Sequence, residues 1–163
     1  MDNRDLEAWG RRAAEWSVEY LESLRERPVR PRSRPGEVMD ALPPAPPQQA
    51  EPVEQVFAEF ESLVVPHVTN WQHPRFLAYF PSNNSPPSIL AEWLTATMAS
   101  NCLLWQTSPA GTEMEIHVLD WLRQMTGIGE GWYGIIQTGA GMATLSAILT
   151  AREKALDWAG KET

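Results

Sequence analysis

The chain has 163 residues, a formal net charge of −8, 21% charged and 43% apolar residues, and a single cysteine. That length allows one domain with a sizeable core, and the composition is that of a soluble globular protein. The acidic balance argues against nucleic acid as a partner, Cys102 alone excludes an internal disulfide framework and fits a reducing compartment, and no apolar run nears the roughly 18 residues that span a bilayer.

Residues 2 to 26 read as an amphipathic helix, with Leu6, Trp9, Ala13, Trp16, Tyr20 and Leu24 recurring at three- and four-residue steps. Such a stripe either faces the chain's own core or docks on another subunit. Residues 27 to 51 carry Pro28, Pro31, Pro35, Pro43, Pro44, Pro46 and Pro47, a density that disfavours helix and central strand and predicts an extended crossing. Val38, Met39 and Leu42 are the residues expected to pin it down. A second amphipathic helix is expected from about Pro52 to Val65, with Val53, Val56, Phe57, Phe60, Leu63 and Val64 inward and Pro66 ending it or restarting a short turn.

Trp71 to Ser85 is the most unusual segment, because Trp71, Phe76, Tyr79 and Phe80 crowd into ten residues that also hold Pro74. A loop this aromatic is costly to leave in water. It forms either a satellite core or the wall of a site for an apolar, ring-shaped ligand, with Tyr79, Ser82 and Asn83 as polar handles. Ser85-Pro86-Pro87 is a helix start, a capping side chain followed by prolines in the first turn, and Leu90, Trp93, Leu94, Thr97 and Met98 share one face of that helix. After a break near Asn101 to Thr107, Ser108-Pro109 starts another helix whose buried stripe is Met114, Val118, Trp121, Leu122 and Met125. Glu113 and Glu115 form either an acid/base pair or cap and solvent contacts; their spacing of two points them in different directions.

Tyr133 to Gln137 reads as a short buried strand, Thr138 to Gly141 as a glycine-containing turn, and the rest as a helix to about Trp158 with Leu145, Ile148, Leu149 and Leu156 on one face. Glycine permits the backbone angles of such a turn, and the helix start offers free N–H groups and a positive dipole end to an anion such as phosphate. The turn is neither a Walker A loop nor a GxGxxG fingerprint. His67, His73 and His117 show no metal-ligand spacing with one another or with Cys102, and no catalytic triad or nucleophile elbow is visible. A lone strand cannot satisfy its ladder hydrogen bonds. The chain therefore reads as the front part of a larger α/β protein, or one piece of a split one.

Four stretches together carry a resemblance: Trp71-Gln-His-Pro-Arg-Phe-Leu-Ala-Tyr-Phe-Pro-Ser82, Trp105-Gln-Thr-Ser-Pro-Ala-Gly-Thr-Glu-Met-Glu115, Asp120-Trp121-Leu122, and Gly134-Ile-Ile-Gln137 through Ala143-Thr144-Leu145. They resemble the group II pyridoxal-phosphate-dependent amino acid decarboxylases, and within them the aromatic-L-amino-acid decarboxylases. The likeness takes in the N-terminal Trp-rich helix and Arg34-Pro35-Gly36, and it covers about the first third of a family member.

The resemblance implies a fold-type I (aspartate-aminotransferase-like) α/β enzyme, this portion being mostly helical with one strand. It implies a homodimer in which residues 1–85 form an N-terminal helical dimerisation segment and residues 86–163 begin the large cofactor domain, and the composition read above makes the chain cytoplasmic. Trp71, Tyr79, Phe80, Pro81 and Ser82 are then expected to line the pocket for the substrate's aromatic ring, with Asn101 and Leu103 reaching the neighbouring subunit's pocket. Thr138, Gly139, Ala140 and Gly141 are expected at the phosphate of pyridoxal 5'-phosphate. Gly139 and Gly141 stand where the family usually offers serines, Met142 where an acidic residue is common, and Leu103 where an aromatic side chain is frequent, leaving space for a larger ring such as indole.

The activity implied is decarboxylation of an aromatic L-amino acid to the arylalkylamine and carbon dioxide. Some relatives form aldehydes instead. A reading of another class is a non-catalytic dimerisation or regulatory module. The Schiff-base lysine, which the family places next to a histidine, has no counterpart, since the only lysines are Lys154 and Lys161. No catalytic residue and no metal ligand is therefore assigned to this chain, and a complementary C-terminal portion is expected to complete the site.

Overall fold

The structure, a computed structural model, describes residues 2–80 and 84–159. The chain divides into two compact units, Met1–Ser88 and Ile89–Thr163.

The first unit is organised by α1 (Asn3–Ser23), which runs on into a 3-10 turn at Leu24–Glu26. Asp2 starts the helix. Its carboxylate accepts the Arg4 and Asp5 N–H groups at 2.7 and 3.0 Å, and the Asp5 carboxylate accepts the Asp2 N–H at 2.7 Å. This reciprocal box occupies N–H groups that a helix start otherwise leaves without acceptors. The stripe of α1 faces α3 (Val53–Glu59) and the wider π turn that continues it, Phe60–Val64. Trp9 lies 5.4 Å from Phe57, and Trp16 meets the edge of Phe60 at 5.1 Å. Aromatic pairs of this geometry add about 0.5–1.5 kcal/mol each beyond the area they bury. Arg12 closes the rim, over the Phe57 ring at 5.3 Å and paired with Glu61 at 3.2 Å. Trp9, Ala13, Trp16 and Tyr20 thus face their own chain, while Leu6 is exposed.

Pro66 has no N–H to continue the helical ladder, and the segment ends in a 3-10 turn at Val65–His67. Val56 and Val64, expected inward, are exposed. The proline-rich crossing departs from the extended expectation at α2 (Glu37–Ala41). The seven residues between Pro35 and Pro43 contain no proline, enough for one short helix. Met39 and Leu42 do not pin it; both are exposed, and Val38 alone of the three is half-buried.

The second unit takes in α5 (Pro109–Met125), α6 (Ala140–Ala155) and all but the first turn of α4 (Pro86–Met98). Ser85 caps α4 as expected, exchanging hydrogen bonds with Ser88: the Ser85 N–H donates to Ser88 Oγ at 2.9 Å, and the Ser88 N–H to Ser85 Oγ at 3.4 Å. The apolar faces read from sequence lie open, including Leu90, Trp93, Leu94 and Met98 on α4, Met114, Trp121 and Met125 on α5, and Leu145 and Ile148 on α6.

The strand expected over Tyr133–Gln137 is not formed. A ladder needs a second strand, and the described residues contain none. The segment is held from one side instead, by the Ile136 N–H donating to Glu115 Oε1 at 2.9 Å. Among the described residues only Leu24, Asn70 and His73 are buried.

Candidate functional site

The turn into α6 is built around Gly139. It sits at the N-cap with φ 135° and ψ 169°, a region closed to residues with a Cβ. The Gly139 carbonyl accepts the Ala143 N–H at 3.1 Å, which closes the first helical turn. The N–H groups of Ala140, Gly141 and Met142 have no backbone acceptor among the described residues. A Cβ placed on Gly139 or Gly141 meets nothing within 4 Å. The turn therefore offers unclaimed donors, open space and the positive end of a helix dipole of roughly half an elementary charge. These features fit an anion of the size of a phosphate, and the exposed hydroxyl of Thr138 lies at the same turn.

The approach to this turn is fixed from α5. Glu115 holds Ile136, and Gly134 passes so close to Leu119 that a Cβ there would lie 3.1 Å from Leu119 Cδ2. Beside it lies an open cleft of about 520 Å³ whose lining includes Ile116, Leu119, Ile128, Trp132 and Tyr133. Arg123 braces the cleft, donating to Asp120 Oδ1 at 2.8 Å and to the Ile128 carbonyl at 3.1 Å. Hydrogen bonds from Arg123 and then Gln124 hold the Asp120 carboxyl below its usual range. Glu113 and Glu115 do not pair. Glu113 accepts Trp105 Nε1–H at 2.9 Å, and Glu115 accepts Ile136. Among the described residues no three His, Cys, Asp or Glu side chains come together as a metal site.

In the first unit, Trp71 gathers the aromatic loop, with Phe76 at 4.8 Å and Tyr79 at 5.9 Å between ring centroids. Tyr79 holds φ 55°, a left-handed conformation that is uncommon for a bulky residue, and is 85% exposed. Phe80 is 99% exposed and makes no aromatic contact among the described residues. Pro81 and Ser82, and with them Asn83, lie outside the described residues. In the second unit Asn101 Oδ1 accepts the Leu103 N–H at 3.0 Å, a local turn that leaves the Leu103 side chain exposed.

The structure thus joins Trp71 with Tyr79, Asn101 with Leu103, and Thr138 through Gly141 in one turn. Sequence reading gave no role to Asn70 or His73, the two buried polar side chains among the described residues, nor the Ile136 partnership to Glu115. For Glu115 the signal was present in its divergence from Glu113.

A family model described as the pyridoxal-dependent decarboxylase conserved domain matches residues 35–161. Aromatic-L-amino-acid decarboxylase of Manduca sexta is 42% identical, over 94% of this chain and 32% of that protein. Histidine decarboxylase of Drosophila melanogaster is 38% identical, over 96% of this chain and 20% of that protein. The crystal structure of Oryza sativa TDC with PLP and tryptamine superposes with a TM-score of 0.88 at 32% identity, covering 98% of this chain and 36% of that one. The chain spans about a third of the length of relatives such as the Manduca protein.

Proposed function

The chain belongs to the pyridoxal-dependent decarboxylase family, and on that premise we propose that it is the N-terminal portion of an enzyme converting an aromatic L-amino acid to its arylalkylamine and carbon dioxide. The observation that carries this reading is the turn at Gly139, with its glycine-only backbone and three unclaimed N–H groups, lying within the stretch matched by the family model. Thr138, Gly139, Ala140 and Gly141 hold the phosphate of pyridoxal 5'-phosphate there. The chemistry that the cofactor supplies when bound is electron withdrawal from the substrate's α-carbon as carbon dioxide departs.

The part of this chain is binding and orientation. Trp71 and Tyr79 offer ring faces to the substrate's side chain, with Phe80, Pro81 and Ser82 continuing the wall and Asn101 and Leu103 contributing from the partner protomer of a homodimer. A substrate ring set between such faces loses water and rotational freedom before the carboxylate is lost, which is how a pocket of this kind lowers the barrier. Residues 1–85 serve dimerisation, and residues 86–163 begin the cofactor domain. The described helices include none long and apolar enough to cross a membrane. The proposed site of action is the cytoplasm, a reducing compartment that a lone cysteine suits.

The lysine that binds the cofactor belongs to a C-terminal portion. The open apolar faces of α4, α5 and α6 support such a complement. The test is a titration of the completed enzyme with pyridoxal 5'-phosphate, followed by absorbance and by competition with inorganic phosphate. Stoichiometric uptake that phosphate displaces is expected. Equal uptake by a Gly139→Val variant would remove the turn from the site, and an aldehyde product would move the enzyme to the aldehyde-forming branch of the family.

A further inference from the structure

Asn70 and His73 are 5% and 3% exposed, the only polar side chains so buried among the described residues. They bracket Trp71 in sequence. Asn70 is bonded through both ends of its amide and through its backbone: Nδ2–H donates to the Pro28 carbonyl at 2.7 Å, Oδ1 accepts the Tyr20 hydroxyl at 2.5 Å, and the backbone N–H donates to the Val29 carbonyl at 3.0 Å. His73 Nδ1 accepts the Arg75 N–H at 2.9 Å, so the ring is the tautomer whose Nε2–H donates to the Arg25 carbonyl at 3.3 Å. The His73 backbone joins the same knot, its N–H donating to the Asn70 carbonyl at 3.0 Å and its carbonyl accepting the Phe76 N–H at 2.8 Å. Trp71 and Phe76, whose rings pack at 4.8 Å, are thus both hung from the knot, and Tyr79 follows through Trp71.

Two buried polar side chains, each bonded through both a donor and an acceptor, amount to a tether between this loop and the end of α1. Cutting either one removes the donor to the Pro28 or the Arg25 carbonyl, part-buried bonds that fasten the loop, and leaves the loop free to move. We propose that Asn70 and His73 are positioning residues: through this tether they fix where the Trp71–Tyr79 aromatic cluster stands, and so where the substrate's ring is held. This rests on the assignment of Trp71 and Tyr79 to the ring pocket. Neither Asn70 nor His73 touches the substrate.

The test uses the completed enzyme and its best substrate among L-tryptophan, L-tyrosine, L-phenylalanine, L-dihydroxyphenylalanine and L-histidine. His73→Ala is expected to raise KM about tenfold and to lower kcat by about threefold or more, because the displaced rings hold the substrate both less tightly and less well oriented. His73→Gln, whose amide N–H reaches toward the Arg25 carbonyl, is expected to bring KM back to within about threefold of the parent. A drop in melting temperature and active fraction with KM unchanged in the surviving enzyme would make the knot merely structural and overturn the proposal.

Hydrogen exchange on the parent enzyme reads the tether without any variant. The Arg75 and Phe76 amides should exchange at least about tenfold slower than that of exposed Leu77, and equal rates would overturn it. If no amino acid of the panel is decarboxylated, the functional assignment fails on its own, and the exchange rates still decide whether the tether exists.

Discussion

Gly139 and Gly141 stand two residues apart in the same turn, and the structure asks opposite things of them. Gly139 holds φ 135° and ψ 169°, while the Gly141 φ is not in the left-handed region. A Cβ at either meets no atom within 4 Å, so packing plays no part in the comparison. For Gly139→Ala the cost is wholly conformational, about 1–3 kcal/mol for a side chain in a glycine-only region. The turn escapes that cost by changing shape, which withdraws the Ala140 and Gly141 N–H groups from a bound phosphate. For Gly141→Ala, inside the first turn of α6, helix propensity gives a gain of up to about 1 kcal/mol. The assay is thermal unfolding without cofactor, then the Kd for pyridoxal 5'-phosphate of the completed enzyme. Gly139→Ala should unfold at lower temperature and bind about 5- to 150-fold more weakly, the range that 1–3 kcal/mol spans. Gly141→Ala should be at least as stable as the parent. An unaffected Gly139→Ala, or a Gly141→Ala that is the less stable of the two, refutes the reasoning.

Glu115→Ala removes the acceptor of the Ile136 N–H and should cost about 0.5–1.5 kcal/mol, with faster exchange of that amide; Glu115→Gln keeps a carbonyl oxygen in reach and should restore most of the protection. Trp16→Ala deletes the contacts at 5.1 Å to both Tyr20 and Phe60. It should lower stability by about 2–4 kcal/mol in denaturant unfolding, more than any substitution on the open face of α4. Because the Asp120 carboxyl is held below its ordinary value of 3.8, its ionised form favours the folded state. Its contribution is present above that value and fades as pH falls through the lower, folded-state value. Asp120→Asn should therefore be less stable than the parent at neutral pH, with the difference closing in acid; a gap that widens in acid would contradict this sign.

What the sequence made legible was local. The stripe of α1 and the cap at Ser85 follow from spacing and residue type, and the turn at Thr138–Gly141 shows itself through its glycines. The aromatic crowd at Trp71–Phe80 announced itself by composition, because so many rings in one loop need a common reason. Non-local features were hidden. Asn70 bonds to residues 42 and 50 positions earlier, and no pattern near it marks it as buried. The strand over Tyr133–Gln137 was read from its apolar run, but a strand exists only with its neighbour, and the carboxylate of Glu115 stands in for part of that pairing. The stripes of α4 and α5 expected to be buried lie exposed, because apolar spacing marks a face while burial depends on what packs over it.

The central claim is that this chain supplies the phosphate seat and ring wall of a decarboxylase whose reactive amine lies in a C-terminal portion. The most direct measurement is release of labelled carbon dioxide from carboxyl-labelled amino acids by the completed enzyme, with the second product identified by mass. Carbon dioxide and an arylalkylamine in equal amounts, dependent on pyridoxal 5'-phosphate, are predicted. Cofactor-saturated enzyme that releases no label from any of the ring-bearing amino acids would contradict it.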